Sequence, residues 1–437
     1  MAMIARDITK TITDFLTAGS GIAVLYGMPC VGKSCLLKQM ADNRGAGYIL
    51  ADLTTDRELR SVLSDAICEK SYDSVIVSIS SFFGLSETVF RETMLLLDGA
   101  EHLGAELAKL LTKDLPNSCM IATDRADLLA NCLNGENTSS NTIKTFRITP
   151  LTFSEFLTAI GRNEFREIIR ARVQDNKPIP KLLRDELTEQ YYEYLLVGGF
   201  PQAVLQYCND RTGIQSLRMI HRQILSTVVQ SLSGAEAKLP DTVSAVRMKQ
   251  ILDYYRDHTE DTALFRPGTI RRGLTRSDFI NEFRYMAQNG FFIPVRQCDP
   301  SDAEKAESEA YYVADSGLER MIANDYDIFF RIDDEGLPVR ILRSSLYATC
   351  YDNGYISVSY DDRKGKALVT GIPELKKIYT YTRRKRKSAG SEEASLSMLS
   401  KQHDSSLIQI SDDTSRTSDS NHNIMWYELD ETLKSEK

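Results

Sequence analysis

Residues Gly27-Met28-Pro29-Cys30-Val31-Gly32-Lys33-Ser34 stand between an apolar run, Ile22–Tyr26, and a helical stretch that begins at Ser34. The pattern is G-x-x-x-x-G-K-[ST], and its chemistry is phosphate binding. Its glycines let the backbone N–H groups of the loop, through Cys35, turn inward around phosphate oxygens. The first turn of the following helix adds partial positive charge. Lys33 supplies a cation for the outer phosphates of a nucleotide, and the Ser34 hydroxyl is a ligand for Mg2+. The bland alternative is a glycine-rich turn with a surface lysine, and it leaves the strand–loop–helix setting without a reason.

Such a loop needs a carboxylate at the end of a neighbouring strand. Thr93-Met94-Leu95-Leu96-Leu97-Asp98 supplies one, and Asp98 would hold Mg2+ through water at the strand's carboxyl end. Hydrolysing sites of this kind usually carry Glu directly after that Asp, to orient the attacking water. Here Gly99 follows, then Ala100, Glu101 and His102. Glu101 reads mainly as a solvated loop carboxylate, with a general base as the alternative. The strand candidate Cys119–Ala122 leads into Thr123 and Asp124. They are placed either to sense the outermost phosphate or to cap the helix that follows.

The elements that must position these residues follow from hydrophobic periodicity. Ile4, Ile8, Ile12 and Phe15 predict an amphipathic helix over 4–17. Strand candidates Ile22–Tyr26, Tyr48–Leu53, Ser74–Ile79, Thr93–Leu97, Cys119–Ala122 and Thr145–Ile148 alternate with helical stretches. That alternation predicts an α/β fold with a mostly parallel sheet. After Pro150 the pattern is helical as far as Leu232, and residues 327–378 read as β-rich. Gly198-Gly199-Phe200-Pro201 reads as a helix stop followed by a helix start.

The chain of 437 residues carries 53 Lys and Arg against 61 Asp and Glu, a net charge of −8, so it is not built throughout as a nucleic-acid coat. The eight cysteines never form CxxC, which predicts a reduced, disulfide-free, cytoplasmic protein. No apolar run approaches the ~18 residues that span a bilayer, and no secretion signal is read at the start. No membrane partner is therefore expected.

The motifs, taken in order, resemble the prokaryotic AAA-type ATP-binding proteins with a DUF4143 C-terminal region, as a divergent member. The resemblance rests on Gly27–Ser34, Leu95–Asp98 with Gly99-Ala100-Glu101, Pro150-Leu151-Thr152-Phe153-Ser154-Glu155-Phe156-Leu157, Gly198–Pro201 and Tyr312-Val313-Ala314-Asp315-Ser316-Gly317-Leu318. It implies ATP and Mg2+ as cofactors and an AAA-like P-loop NTPase fold. It also implies a helical lid, and a C-terminal region related to nuclease folds. The departures matter equally. Pro29 stands for the family's Arg, Gly99 for the Glu after the strand Asp, and Thr123–Arg125 for the sensor GSS. The GR expected before Pro150 is missing. Each loss touches hydrolysis rather than binding, which implies a nucleotide-controlled switch with weak hydrolysis. The relatives' metal-binding carboxylates have no counterpart in residues 341–372, so nuclease activity is not expected.

Two further features point to partners. Residues 269–296 read as a winged-helix-like unit, with Thr275 and Asp278 as a capping box and Phe279, Phe283 and Met286 on one face. Arg266, Arg271, Arg272, Arg276 and Arg284 lie close by and would contact DNA phosphates, the alternative being solvated helix faces. The run Arg383–Lys387 opens a tail in which 388–420 holds 11 Ser in 33 positions and no aromatic residue. Such a composition predicts disorder, and its basic start would contact DNA or a protein partner. The expected domains are a P-loop NTPase core over 1–153, a helical lid over 154–240 and a winged-helix-like module over 241–325. A β-rich, degenerate nuclease-like region over 326–382 and a Ser-rich disordered tail over 383–437 complete the chain.

Overall fold

The computed structural model describes residues 4–17, 21–44, 47–68, 73–104, 110, 119–129, 142–175, 177–211, 213–234, 239–257, 265–299, 302–324, 339–359, 367–382, 406–411 and 423–436. The chain forms two compact units. The first comprises Met1–Thr149, Ser226–Pro240 and Gln288–Gly290, and the second comprises Pro150–Leu225, Asp241–Ala287 and Phe291–Lys437.

In the first unit, strands β1 (Gly21–Tyr26), β2 (Tyr48–Asp52), β3 (Met94–Asp98), β4 (Cys119–Thr123) and β5 (Thr142–Arg147) form one sheet in the order β2-β3-β4-β1-β5. Every neighbouring pair is parallel. Parallel strands need crossover helices on the sheet faces, so they read as near-continuous apolar runs. All five residues of β3 and of β4 are buried accordingly. Helices α1 (Ile8–Thr17), α2 (Lys33–Arg44), α3 (Arg57–Cys68), α4 (Asp73–Phe82) and α5 (Glu87–Glu92) belong to this unit. Ile22, Val24, Leu95, Leu97 and Ile121, alternate residues of their strands, share a core with Leu59 and Leu63 of α3. This is the expected α/β P-loop fold. The sheet places β4 between the strand that leads into the phosphate loop and the strand that ends in Asp98.

One strand expectation is corrected. Ser74–Ile79 lies within α4. Its β-branched residues favour a strand locally, but Val75, Ile76 and Ile79 are fully buried while Val77 is 45 % exposed, the burial rhythm of a helix face.

The second unit begins with α6 (Phe153–Ala159), α7 (Asn163–Asp175), α8 (Lys181–Val197), α9 (Pro201–Asn209) and the first part of α10 (Ile214–Ser233). The Pro150–Leu157 motif makes the start of α6. Thr152 N donates to Glu155 at 3.1 Å and Glu155 N donates to Thr152 Oγ1 at 3.3 Å, a capping box. Phe153 packs edge-on against Tyr191, and Phe156 lies 5.5 Å from the Tyr194 ring. Next come α11 (Ala245–Asp257), α12 (Ile280–Gln288) and an antiparallel hairpin of β6 (Phe292–Asp299) and β7 (Asp302–Val313). The Thr275–Asp278 capping box is present ahead of α12, and Phe279, Phe283 and Met286 are buried.

Helices α13 (Ser316–Ala323) and α14 (Val339–Asp352) lead to β8 (Val358–Ser359), β9 (Ala367–Ile372), β10 (Lys377–Thr382), β11 (Ser406–Ser411) and β12 (Asn423–Met425). With β6 and β7 they form a seven-stranded sheet, β12-β11-β10-β9-β8-β6-β7. A last helix, α15 (Leu429–Ser435), follows.

Three domain expectations change here. The region read as β-rich opens with a 14-residue helix, α14, whose Ile341, Leu342, Leu346, Tyr347 and Cys350 recur at helical spacing and are buried. The segment expected to be disordered carries β11, paired in parallel with β10, and β12 beyond it. Leu429 and Leu433 are buried as well, so apolar residues spaced too thinly for the compositional rule still complete a sheet and a helix face. The boundary at residue 240 is also displaced, because Ser226–Pro240 belongs with the phosphate-loop unit. The basic run at 383–387, with residues 388–405 and 412–420 of the expected disordered stretch, lies outside the described residues. Among the described residues no helix is long and apolar enough to cross a membrane.

Candidate nucleotide site

The loop after β1 is shaped by positive backbone angles. Gly27 has φ +153°, and a Cβ there would lie 2.1 Å from Ile148 O, because the chain leaving β5 runs alongside. Cys30 and Gly32 have φ +66° and +95°. These turns bring Lys33 to the first position of α2, where backbone N–H groups have no partner within the helix. Arg6 clamps the loop from outside. Its guanidinium donates to Val31 O at 3.0 Å and to Thr149 O at 2.7 Å.

Lys33 is 6 % exposed, and its ammonium faces the loop. It donates to Gly27 O at 2.9 Å and Met28 O at 2.7 Å, and pairs with Asp124 Oδ1 at 2.5 Å. Asp98 is buried at the end of β3. Burial lifts its carboxyl above the ordinary value, a hydrogen bond with the Ser34 hydroxyl opposes that, and Asp52 adds to the rise. Asp52 is the register partner of Asp98 on β2. Its own carboxyl is pushed up by burial, but bonds from Thr54 and Thr55 outweigh this and hold it low.

Glu101 enters the site as well. Gly99 adopts φ +75° and turns the chain into a short 3-10 helix, Ala100–Leu103. Glu101 Oε2 then accepts from Asp124 N at 2.9 Å. The expectation of a solvated loop carboxylate is corrected, because the turn folds Glu101 back into a half-buried position against Asp124 N. Burial, reinforced by Asp124, raises its carboxyl to about 7. His102 Nε2 lies 4.0 Å from Glu101 Oε1, and Arg60 lies 3.5 Å from the other ring nitrogen.

Thr123 and Asp124 separate in role. Thr123 is fully buried, and its hydroxyl accepts from Arg125 N at 3.2 Å, a local cap. Asp124 faces Lys33. Arg125 forms a two-pronged pair with Asp127 at 2.7 and 2.6 Å.

The structure therefore brings together Lys33, Ser34, Asp98, Glu101 and Asp124, and adds Asp52 and Arg6, which no motif marks. It also adds Thr227, whose hydroxyl bonds the Cys30 thiol; burial first, then Asp124, raises that thiol. Asn289 is another addition and accepts from Ala126 N at 3.0 Å. Both come from chain segments remote in sequence, where local spacing carries no signal. A phosphate chain fits the donor set, with its glycine-shaped loop, one lysine and the open start of a helix. Mg2+ fits the Ser34 hydroxyl and the Asp98 carboxylate.

In the region expected to be related to nuclease folds, β9 and β10 hold no Asp or Glu. Thr370 stands opposite Tyr379, both fully buried, and Thr370 Oγ1 donates to Tyr347 at 3.2 Å.

No protein-family model matches the chain, and no curated protein matches it. Among solved structures, it is similar to a Walker-type ATPase of Pyrococcus abyssi at 16 % identity and a TM-score of 0.46, over 73 % of this chain and 96 % of that one. A RuvB mutant of Thermotoga maritima matches at 16 % identity and a TM-score of 0.30, over 66 % and 89 %. AMPPCP-bound DnaA from Aquifex aeolicus matches at 13 % identity and a TM-score of 0.27, over 65 % and 87 %. All three TM-scores lie below 0.5, and the fold class rests on this chain's own sheet order and loop.

Proposed function

We propose that the chain binds ATP with Mg2+ and works as a nucleotide-controlled switch that hydrolyses slowly. The observation that supports this reading best is the Lys33 ammonium held inside the Gly27–Gly32 loop at the start of α2, with Ser34 bonded to Asp98. Ser34 and Asp98 would hold Mg2+, which screens phosphate charge and polarises the bond to be broken. The chain's own residues divide the remaining work. The loop amides and Lys33 bind and orient the phosphates, and Asp124 reads whether a third phosphate is present. Glu101 is the carboxylate available to hold a water. It stands three residues beyond Asp98 and already bonds Asp124 N, which favours slow turnover over fast. The AAA/DUF4143 affinity stays part of this proposal on its five motifs. So does a reduced, cytoplasmic setting, which the six free cysteines among the described residues fit.

A second reading is a regulatory protein that binds DNA or a protein partner through α11, α12 and the β6–β7 hairpin, as a winged helix would. Exposed Arg271, Arg272 and Arg284 favour it. The nuclease-like C-terminal region would then serve as a scaffold without catalysis. The test of both is nucleotide binding by the purified chain with and without Mg2+, with phosphate release on the same sample. Binding with turnover below ~1 s⁻¹ supports the switch. Absence of binding, together with a salt-dependent shift of duplex DNA, supports the second reading.

A further inference from the structure

Lys33 has three N–H donors, and the protein engages them all, two on loop carbonyls and the third on Asp124 at 2.5 Å. A carboxylate is the side-chain group closest to a phosphate in charge and in the hydrogen bonds it accepts. Asp124 is held from behind by Glu101, which takes its backbone N–H at 2.9 Å, and its side chain remains 26 % exposed, within reach of a ligand. We infer that Asp124 occupies, on Lys33, the place that the third phosphate of a nucleoside triphosphate has to take, so that the site favours nucleoside diphosphates. The inference rests on the nucleotide-binding reading above.

The charges around this position point the same way. Asp124, Glu101, Asp98 and Asp52 approach it from β4, the 3-10 turn, β3 and β2. Among the described residues, Lys33 is the cation that pairs with Asp124. Arg60 is engaged with Thr54 O and His102, and Arg125 with Asp127. A diphosphate fills the loop and leaves the Lys33–Asp124 pair intact. A triphosphate has to break it and leave a carboxylate beside an arriving anion, an arrangement that like charges disfavour. The group in contact with the lysine is thus itself an anion.

The test is calorimetric titration of the full chain with Mg·ADP and with Mg·β,γ-methylene-ATP, comparing the parent, Asp124→Asn and Lys33→Ala. The parent should bind the diphosphate ~10-fold more tightly or better, and Asp124→Asn should shift the ratio of the two affinities ~10-fold towards the triphosphate. A parent that binds the triphosphate at least as tightly as the diphosphate overturns the inference, and this arm depends on no variant. An Asp124→Asn chain that keeps the parent's ratio overturns it too. Failure of the parent to bind either ligand is a different result, since it removes the nucleotide reading itself.

Discussion

The Asp315 carboxylate accepts the backbone N–H of Gly199 at 2.7 Å and that of Leu318 at 2.9 Å. Two sequence motifs more than a hundred residues apart thereby meet at one buried side chain. Gly198 is required on the other side of the contact. Its φ is +75°, and a Cβ there would lie 2.6 Å from Asp315 Oδ1. Leu151 N adds a bond to Gly199 O at 2.6 Å, so the Pro150–Leu157 motif joins the same knot. Replacing Asp315 by Ala leaves buried N–H groups without an acceptor. The expected cost is ~2 to 5 kcal/mol, read from chemical denaturation. A loss under ~0.5 kcal/mol would show that the knot contributes little.

Lys33→Ala should weaken nucleotide binding by ~2 to 4 kcal/mol, since it removes the side-chain cation and leaves Asp124 unpaired. Titration with Mg·ADP is the measurement. Unchanged affinity would remove the phosphate-loop assignment.

Restoring a glutamate at residue 99 is the obvious way to try to speed hydrolysis, and the backbone argues against it. Gly99 has φ +75°, and a Cβ would lie 2.5 Å from Thr54 Cγ2 and 3.1 Å from Thr54 N. Gly99→Glu is expected to lower the melting temperature and to give no gain in phosphate release. A stable variant with faster release would contradict the turn described here.

Glu101 links stability to pH. Its carboxyl is raised from 4.5 to about 7 by burial and by Asp124. Between those values the folded chain keeps a proton that the unfolded chain releases. Stability from this group is therefore full below the unfolded value and falls as pH rises towards about 7. Glu101→Gln keeps an acceptor for Asp124 N and removes the titration. The variant should melt higher than the parent at pH 8 and gain little at pH 5. Equal gains at both would place the effect elsewhere.

Truncation after Thr382 should destabilise the second unit, contrary to what the serine-rich composition suggests. It deletes β11 and β12, along with Leu429 and Leu433, each no more than 1 % exposed. Leu433→Ala alone is expected to cost ~2 to 5 kcal/mol. A truncated chain with the parent's melting temperature would refute the docking of the tail.

The phosphate site was legible because its chemistry is local. Eight consecutive residues fix the loop, and an apolar run ending in Asp98 fixes its partner. Glu101 was misplaced because the turn at Gly99 depends on a positive φ that the letter G permits without dictating. Arg6, Thr227 and Asn289 were invisible for a different reason: each reaches the site by tertiary folding, and their surroundings in sequence are ordinary. The helix at Asp73–Phe82 was lost to β-branched residues, whose strand preference yields to burial on one face. The tail is hidden by averaging, since a composition taken over 33 residues masks the four, Ser406–Gln409, that pair with β10.

Ser154 donates to Glu431 at 2.9 Å, across 277 positions of chain, and the ends of the second unit are thereby stitched together. That spacing sets an order of events during synthesis. The segments of the first unit are all made by Gly290, whereas the partner of Ser154 emerges some 140 residues later. At ~5 to 20 residues per second the face of α6 and α7 that receives α15 waits roughly ten seconds or more for its cover. The nascent chain thus passes through an interval in which one unit is complete and the other shows unfilled apolar surface, the form of the protein most open to chaperones and to aggregation.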